Sequence, residues 1–135
     1  MVKALSQGIE LTNSMKRKFQ IAKIASTYSN AKKSRQVGAV LFSGSTLLSI
    51  GHNSYNTTHT ASAVHCNIHA EHRCIIRRRY YDTKGNLTMF IYRETADGSP
   101  ACSKPCNNCL KLLKEAGIEE IYFLDIKGHP QRYKS

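Results

Sequence analysis

Between residues 15 and 28 apolar side chains recur at three and four: Met15, Phe19 and Ala22, with Ile21, Ile24, Ala25 and Tyr28. That spacing predicts an amphipathic helix, and its other face carries Lys16, Arg17, Lys18 and Lys23. Residues 1–13 have weak periodicity and read as a loose arm or a short helical lead-in. After a polar break at 30–35, VGAVLF (37–42) has a buried-strand pattern, Ser43-Gly44-Ser45 is a turn, and 46–51 is a second strand. The two read as a β-hairpin. Residues 52–67, rich in Asn, Ser, Thr and His, form a loop, and 69–81 read as a second helix. LTMFIY (87–92) is a third strand and 93–104 a loop. Pro105 can open a helix over 106–116, since its missing N–H is not needed in a first turn, and Gly117 suits the C-terminal cap. A fourth strand surrounds 120–124, and Lys127-Gly128 turns the tail back toward a candidate short edge strand. Helices alternating with strands imply one sheet with helices packed on its faces. The expected fold is α/β: three layers, α/β/α, around a mixed sheet of four to five strands, in a single domain over 1–135.

Composition narrows this little. Of 135 residues, 41% are hydrophobic and 21% charged, ordinary for a globular protein. No run of 18 apolar residues exists, which excludes a transmembrane helix. The first ten residues lack a continuous apolar segment, so a secretory signal is not expected. Charge says more: 20 Lys and Arg against 9 Asp and Glu give +11. The excess is uneven, for residues 37–70 hold no Asp, Glu, Lys or Arg. A field of this sign attracts phosphates, free or on a nucleic acid. Five cysteines, an odd number, with no secretory signal argue against a disulfide framework and for a reducing compartment, the cytoplasm.

The chemistry sits in two short motifs at predicted helix starts: His69-Ala70-Glu71 and Pro105-Cys106-Asn107-Asn108-Cys109. One imidazole and two thiolates suit tetrahedral zinc, Zn²⁺. Cys106 and Cys109, three apart, share one face of the first helical turn. The positive end of that helix favours their thiolate forms. Three protein ligands leave a fourth position for water, the mark of catalytic zinc. Zinc lowers the pKa of such a water to ~7. Glu71, two residues from His69, can reach it without being a ligand and move its proton.

His69-x-Glu71 followed by Pro105-Cys106-x-x-Cys109 resembles the signature of the zinc cytidine/deoxycytidylate deaminases. Val37-Gly38-Ala39-Val40, Gly51-His52-Asn53 and Ala116-Gly117-Ile118 are similar to segments of the deoxycytidylate enzymes. The resemblance implies a cytidine deaminase-like fold, with zinc on His69, Cys106 and Cys109 and Glu71 as proton shuttle. It further implies that Asn53 holds the sugar and that the Ala70 backbone contacts the pyrimidine. Hydroxide would attack C4 of cytosine, and ammonia would leave. Departures are a short stretch before His69, Lys104 where many members carry Ser or Thr, and a short tail after Leu124.

The expected function is zinc-dependent deamination of a cytosine nucleotide, with dCMP to dUMP favoured. The partners are then a small pyrimidine nucleotide and further copies of the chain, not a membrane. A deaminase acting on cytosine or adenine in single-stranded DNA or tRNA is the alternative, drawing on the charge and on Tyr55, Tyr80 and Tyr81 as stacking groups. A non-catalytic zinc-stabilised nucleic-acid module ranks lower, since a structural site needs no Glu71. Lesser candidates are His65 and His72 as rival ligands and His59, His65 and Cys66 as a second metal site. Arg77-Arg78-Arg79, or Lys33, Ser34 and Arg35, are candidate phosphate contacts.

Overall fold

The computed structural model describes residues 5–29, 35–55, 67–71, 74 and 86–134. In chain order the elements are β1 (Leu5–Gly8), α1 (Asn13–Ser26), β2 (Val37–Ser43), β3 (Thr46–His52), β4 (Ser54–Tyr55), β5 (Asn67–Ile68), β6 (Leu87–Arg93), α2 (Asn107–Glu115), β7 (Glu120–Leu124) and β8 (Pro130–Lys134). Ala70, Glu71 and Cys74 lie in a further helical stretch. The main sheet has the order β1-β8-β7-β6-β2-β3, and β4 pairs with β5 in a separate ladder. Only β6 and β7 are parallel; every other pairing in the sheet is antiparallel. The mixed sheet with flanking helices is the expected architecture. Among the described residues its strand count is six rather than four to five, because residues 5–8 are neither a loose arm nor a helical lead-in. They extend and pair with β8, Leu5 opposite Lys134. This partner lies at the other end of the sequence, so no local window reveals it. For the same reason β8 is an interior strand, not an edge.

Alternation sorts the side chains onto two faces. On β2 and β6, Val40, Phe42, Phe90 and Tyr92 face α1, where they meet Phe19 and Ala22 together with Tyr122 and Leu124. Ala39, Leu41, Leu87, Met89 and Ile91 face the other way, under Ala70, Cys74 and Leu113. The charge-free hairpin is therefore buried on both sides at β2, as its composition predicts. A glycine permits the close approach of a helix on each face. A Cβ on Gly38 would collide with the Ala22 carbonyl and lie 2.5 Å from the Ser26 nitrogen. One on Gly51 would collide with the Ala70 carbonyl and lie 2.9 Å from the Cys74 nitrogen.

Caps fix the helix ends. Thr12 Oγ1 accepts the Met15 N–H at 3.2 Å and starts α1. α2 begins one residue later than Pro105 suggests: Cys106 is its N-cap and Pro105 stands just outside. At its end Gly117 N–H bonds Lys114 O and Ile118 N–H bonds Leu113 O, a Schellman pair.

Candidate metal centre

Two local devices bring distant stretches together. The first is the β4–β5 ladder, in which Ser54 pairs with Ile68. It closes the polar loop after β3 and so sets the flanking residues Asn53 and His69 at the same end. The second is Ser103, buried where the loop after β6 returns to the sheet. Its Oγ donates to Ile91 O (2.7 Å) and accepts from Leu124 N (2.8 Å), while its N–H donates to Leu124 O (2.9 Å). This clip ties β6 to β7 three residues ahead of Cys106. Neither device has a motif, and Ser103 passes in sequence for an ordinary loop serine.

His69 Nδ1 lies 3.0 Å from Cys109 Sγ and 3.9 Å from Cys106 Sγ. The three candidate ligand atoms all fall within 4.8 Å of one another. Tetrahedral bonds of ~2.0–2.3 Å to zinc would separate such atoms by roughly 3.5–3.8 Å, so the cluster needs only small adjustments to enclose an ion. Cys106 Sγ accepts the Cys109 N–H at 3.5 Å, which holds the first turn of α2 around the pair of sulfurs.

Glu71 is buried at 5% exposure and hydrogen-bonds with Cys109. Burial pushes its carboxyl above the usual range, while its own backbone N–H, the His69 imidazole and Cys109 pull the other way. The Cys109 thiol is also pushed up, by burial first and then by Glu71 and Cys106. Two sulfurs, an imidazole and a carboxyl crowd together, and Glu71 and Cys106 both disfavour the charged form of Cys109. A divalent cation removes this conflict, because a coordinated thiol loses its proton outright. The donor set thus fits zinc on chemical grounds.

A cavity of about 270 Å³ opens beside the cluster and is lined by His69, Ala70, Glu71 and Cys106 on one hand and by Asn53, Arg35 and Arg93 among others. That is close to the lower limit for small-ligand pockets. Asn53 is buried, its Oδ1 accepting Val37 N–H and its Nδ2 donating to Arg35 O, both at 2.8 Å. One donor and one acceptor site of the amide remain over. Five of the six site residues expected from sequence, Asn53, His69, Ala70, Glu71 and Cys106, line this cavity, and Cys109 joins them through the cluster with His69 and Cys106. Arg35 joins them, while Lys33, Ser34, His59, His65, Cys66, His72, Arg77, Arg78, Arg79, Tyr80 and Tyr81 lie outside the described residues. Only the backbone of Tyr55 is described. Arg93 lines the cavity although in sequence it merely opens the loop after the third strand. Among the described residues no helix is long and apolar enough to cross a membrane.

Comparison with known proteins agrees with this geometry. A cytidine deaminase from Burkholderia pseudomallei superposes with a TM-score of 0.68 at 19% identity, covering 92% of this chain and 93% of the other. A dCMP deaminase from the cyanophage S-TIM5 gives 0.64 at 20% identity, covering 86% of both chains. A cytidine deaminase from Mycobacterium leprae gives 0.56 at 24% identity, over 87% and 91%. At such identities the likeness shows the fold. No curated protein matches by sequence. The profile of the cytidine and deoxycytidylate deaminase zinc-binding region, however, matches residues 12–125. With a mixed sheet flanked by helices, a His-Cys-Cys cluster and that profile spanning most of its length, the chain belongs to the cytidine and deoxycytidylate deaminase family.

Proposed function

We propose that this chain, as one deaminase domain, hydrolytically deaminates a cytosine-containing nucleotide, with dCMP as the favoured substrate and dUMP and ammonia as products. The observation that carries the reading is the convergence of His69, Cys106 and Cys109 with the buried Glu71 at the wall of one cavity. His69 through Nδ1, and Cys106 and Cys109 through Sγ, would hold zinc, which supplies the Lewis acidity that makes water a competent nucleophile at neutral pH. Glu71 sits close enough to these ligands to take a proton from water. A carboxyl whose burial raises its proton affinity can then hand that proton to the pyrimidine ring and the departing ammonia. The Ala70 backbone, buried in the cavity wall, would line up the pyrimidine, and the free capacity of the Asn53 amide would meet the sugar.

Reduced thiols are needed at the site, so we place the reaction in the cytoplasm. We also expect the protein to work as a homo-oligomer, since among the described residues β1 and β3 stand at the two edges of the sheet. The net charge of +11 favours a second reading, deamination within a single strand or tRNA. Ammonia release from cytidine, dCMP, a cytosine-bearing single strand and tRNA separates the two. We expect dCMP to lead, and turnover of a nucleic acid alone would overturn the nucleotide assignment. Metal analysis of protein never exposed to chelators should find about one zinc per chain.

A further inference from the structure

The alternation that puts Leu87, Met89 and Ile91 into the core beneath the helices puts Arg93 on the same face at the carboxyl end of β6. There the core stops and the cavity begins, so the guanidinium stem lines it. Arg93 Nε is buried with no hydrogen-bond partner, and among the described residues no carboxylate pairs with this side chain. Arg132 has a buried Nε too, yet its guanidinium meets Glu120 at 3.8 Å. A guanidinium cannot shed its charge, and a buried donor without an acceptor destabilises the fold. Among the described residues that line the cavity Glu71 is the only acid, and it hydrogen-bonds with Cys109. The other lining cations do not offer the same opening. Lys104 places its ammonium 5.8 Å from the Tyr133 ring, and Arg35 is exposed.

We propose that Arg93 binds a phosphate on the substrate and is the residue that makes the site select a phosphorylated cytosine substrate over the bare nucleoside. This rests on the deaminase reading above. A guanidinium fork matches phosphate oxygens in number and plane. Arg93 also stands directly opposite Val37 in the β2–β6 register, and Val37 N–H is held by Asn53. The candidate sugar residue and the phosphate residue are therefore locked together through one backbone pair.

The test uses the zinc-loaded full chain with Arg93→Ala and Arg93→Lys. Binding of dCMP, dUMP and deoxycytidine is measured by calorimetry, and ammonia release from deoxycytidine, dCMP and a short cytosine-bearing strand by steady-state kinetics. The wild type should bind dCMP about ten- to a hundredfold more tightly than deoxycytidine. Arg93→Ala should erase that gap by raising KM for phosphorylated substrates, and Arg93→Lys should restore part of it. Should the alanine variant fail to fold, the lysine variant carries the test, since it keeps the charge and loses the fork. A loss confined to dCMP assigns the phosphate to a free nucleotide, whereas an equal loss on the strand assigns it to the backbone of a nucleic acid. Either supports Arg93. Equal weakening of nucleoside and nucleotide, or a wild type indifferent to phosphate, would overturn the proposal. Ammonia from none of the substrates, with Arg93-dependent binding of dCMP intact, would sink the deamination reading and leave Arg93 standing.

Discussion

On its α1 side the sheet is covered by five aromatic rings, those of Phe19, Phe42, Phe90, Tyr92 and Tyr122. Phe90 lies at their centre, stacked on Tyr122 at 4.5 Å and edge-on to Phe19 at 5.1 Å. Some polar groups at this face have partners within it: Tyr92 Oη donates to Glu94 at 2.8 Å, and Lys18 bonds Gly44 O while resting 4.8 Å from the Phe42 ring, whereas Thr88 Oγ1 is buried without one. The opposite side is mostly aliphatic, with Leu41, Met89, Ile91 and Leu113 packed beneath the two helical starts that carry Glu71 and Cys109. Among the described residues the first face holds no cluster of metal-ligating side chains. The second ends at the cavity, beside the His69, Cys106 and Cys109 cluster and with Arg93 Nε buried without a hydrogen-bond partner. A sheet of this kind separates rigidity from chemistry by assigning each to one of its sides.

Perturbing the two sides should therefore give different signatures. The largest effect is expected at Glu71. Glu71→Gln should lower ammonia release by ~10²–10⁴-fold with zinc content unchanged by metal analysis; surviving turnover would remove Glu71 from the reaction. Phe90→Ala should cost ~3–5 kcal/mol of stability, read by urea titration, with kcat/KM per folded molecule unchanged. A fall in kcat/KM there would mean that the faces are coupled. The two glycines sharpen the contrast further. Gly38→Ala and Gly51→Ala should each cost ~1–3 kcal/mol by overpacking. Only Gly51→Ala should also depress kcat, because Ala70 and Glu71 must shift to admit the methyl group. Matching kcat values for the two variants would refute the division.

The smallest effect lies away from both faces. The Asp125 carboxyl is held below its ordinary range by the His129 backbone N–H first, with Lys127 N–H and Gln131 Nε2 assisting. A depressed carboxyl lends stability above the unfolded value, and that stability is lost as pH falls through the folded one. The Tm of Asp125→Asn should thus fall less than that of the wild type on acidification below about pH 4. Its activity at neutral pH should be untouched.

The sequence made some parts of this molecule plain and others not, for physical reasons. The hairpin was legible because VGAVLF and TLLSIG carry uninterrupted apolar pattern around a Gly turn. The metal ligands were legible because Cys-x-x-Cys on one helical turn and His-x-Glu are unusual outside such chemistry. β1 was not, since its pairing with β8 joins opposite ends of the chain. Arg93 was hidden because an arginine at the start of a loop reads as a solvated one until the strand register extends to it and sets its face. Ser103 was hidden because its three hydrogen bonds depend on two strands that meet only in the folded state. Asn53 was singled out only through family resemblance, and its hold on residues 35–37 adds an anchoring duty that no pattern announces.

The register of β1 on β8 has a practical corollary. Leu5 and Lys134 are direct partners across an antiparallel pair, so residues near the two ends run alongside one another, roughly 5 Å apart. A short splice could join them, and fresh termini could be cut at the exposed Gly44–Ser45 tip of the hairpin. Such a circularly permuted chain would keep every ligand-bearing segment in its present surroundings.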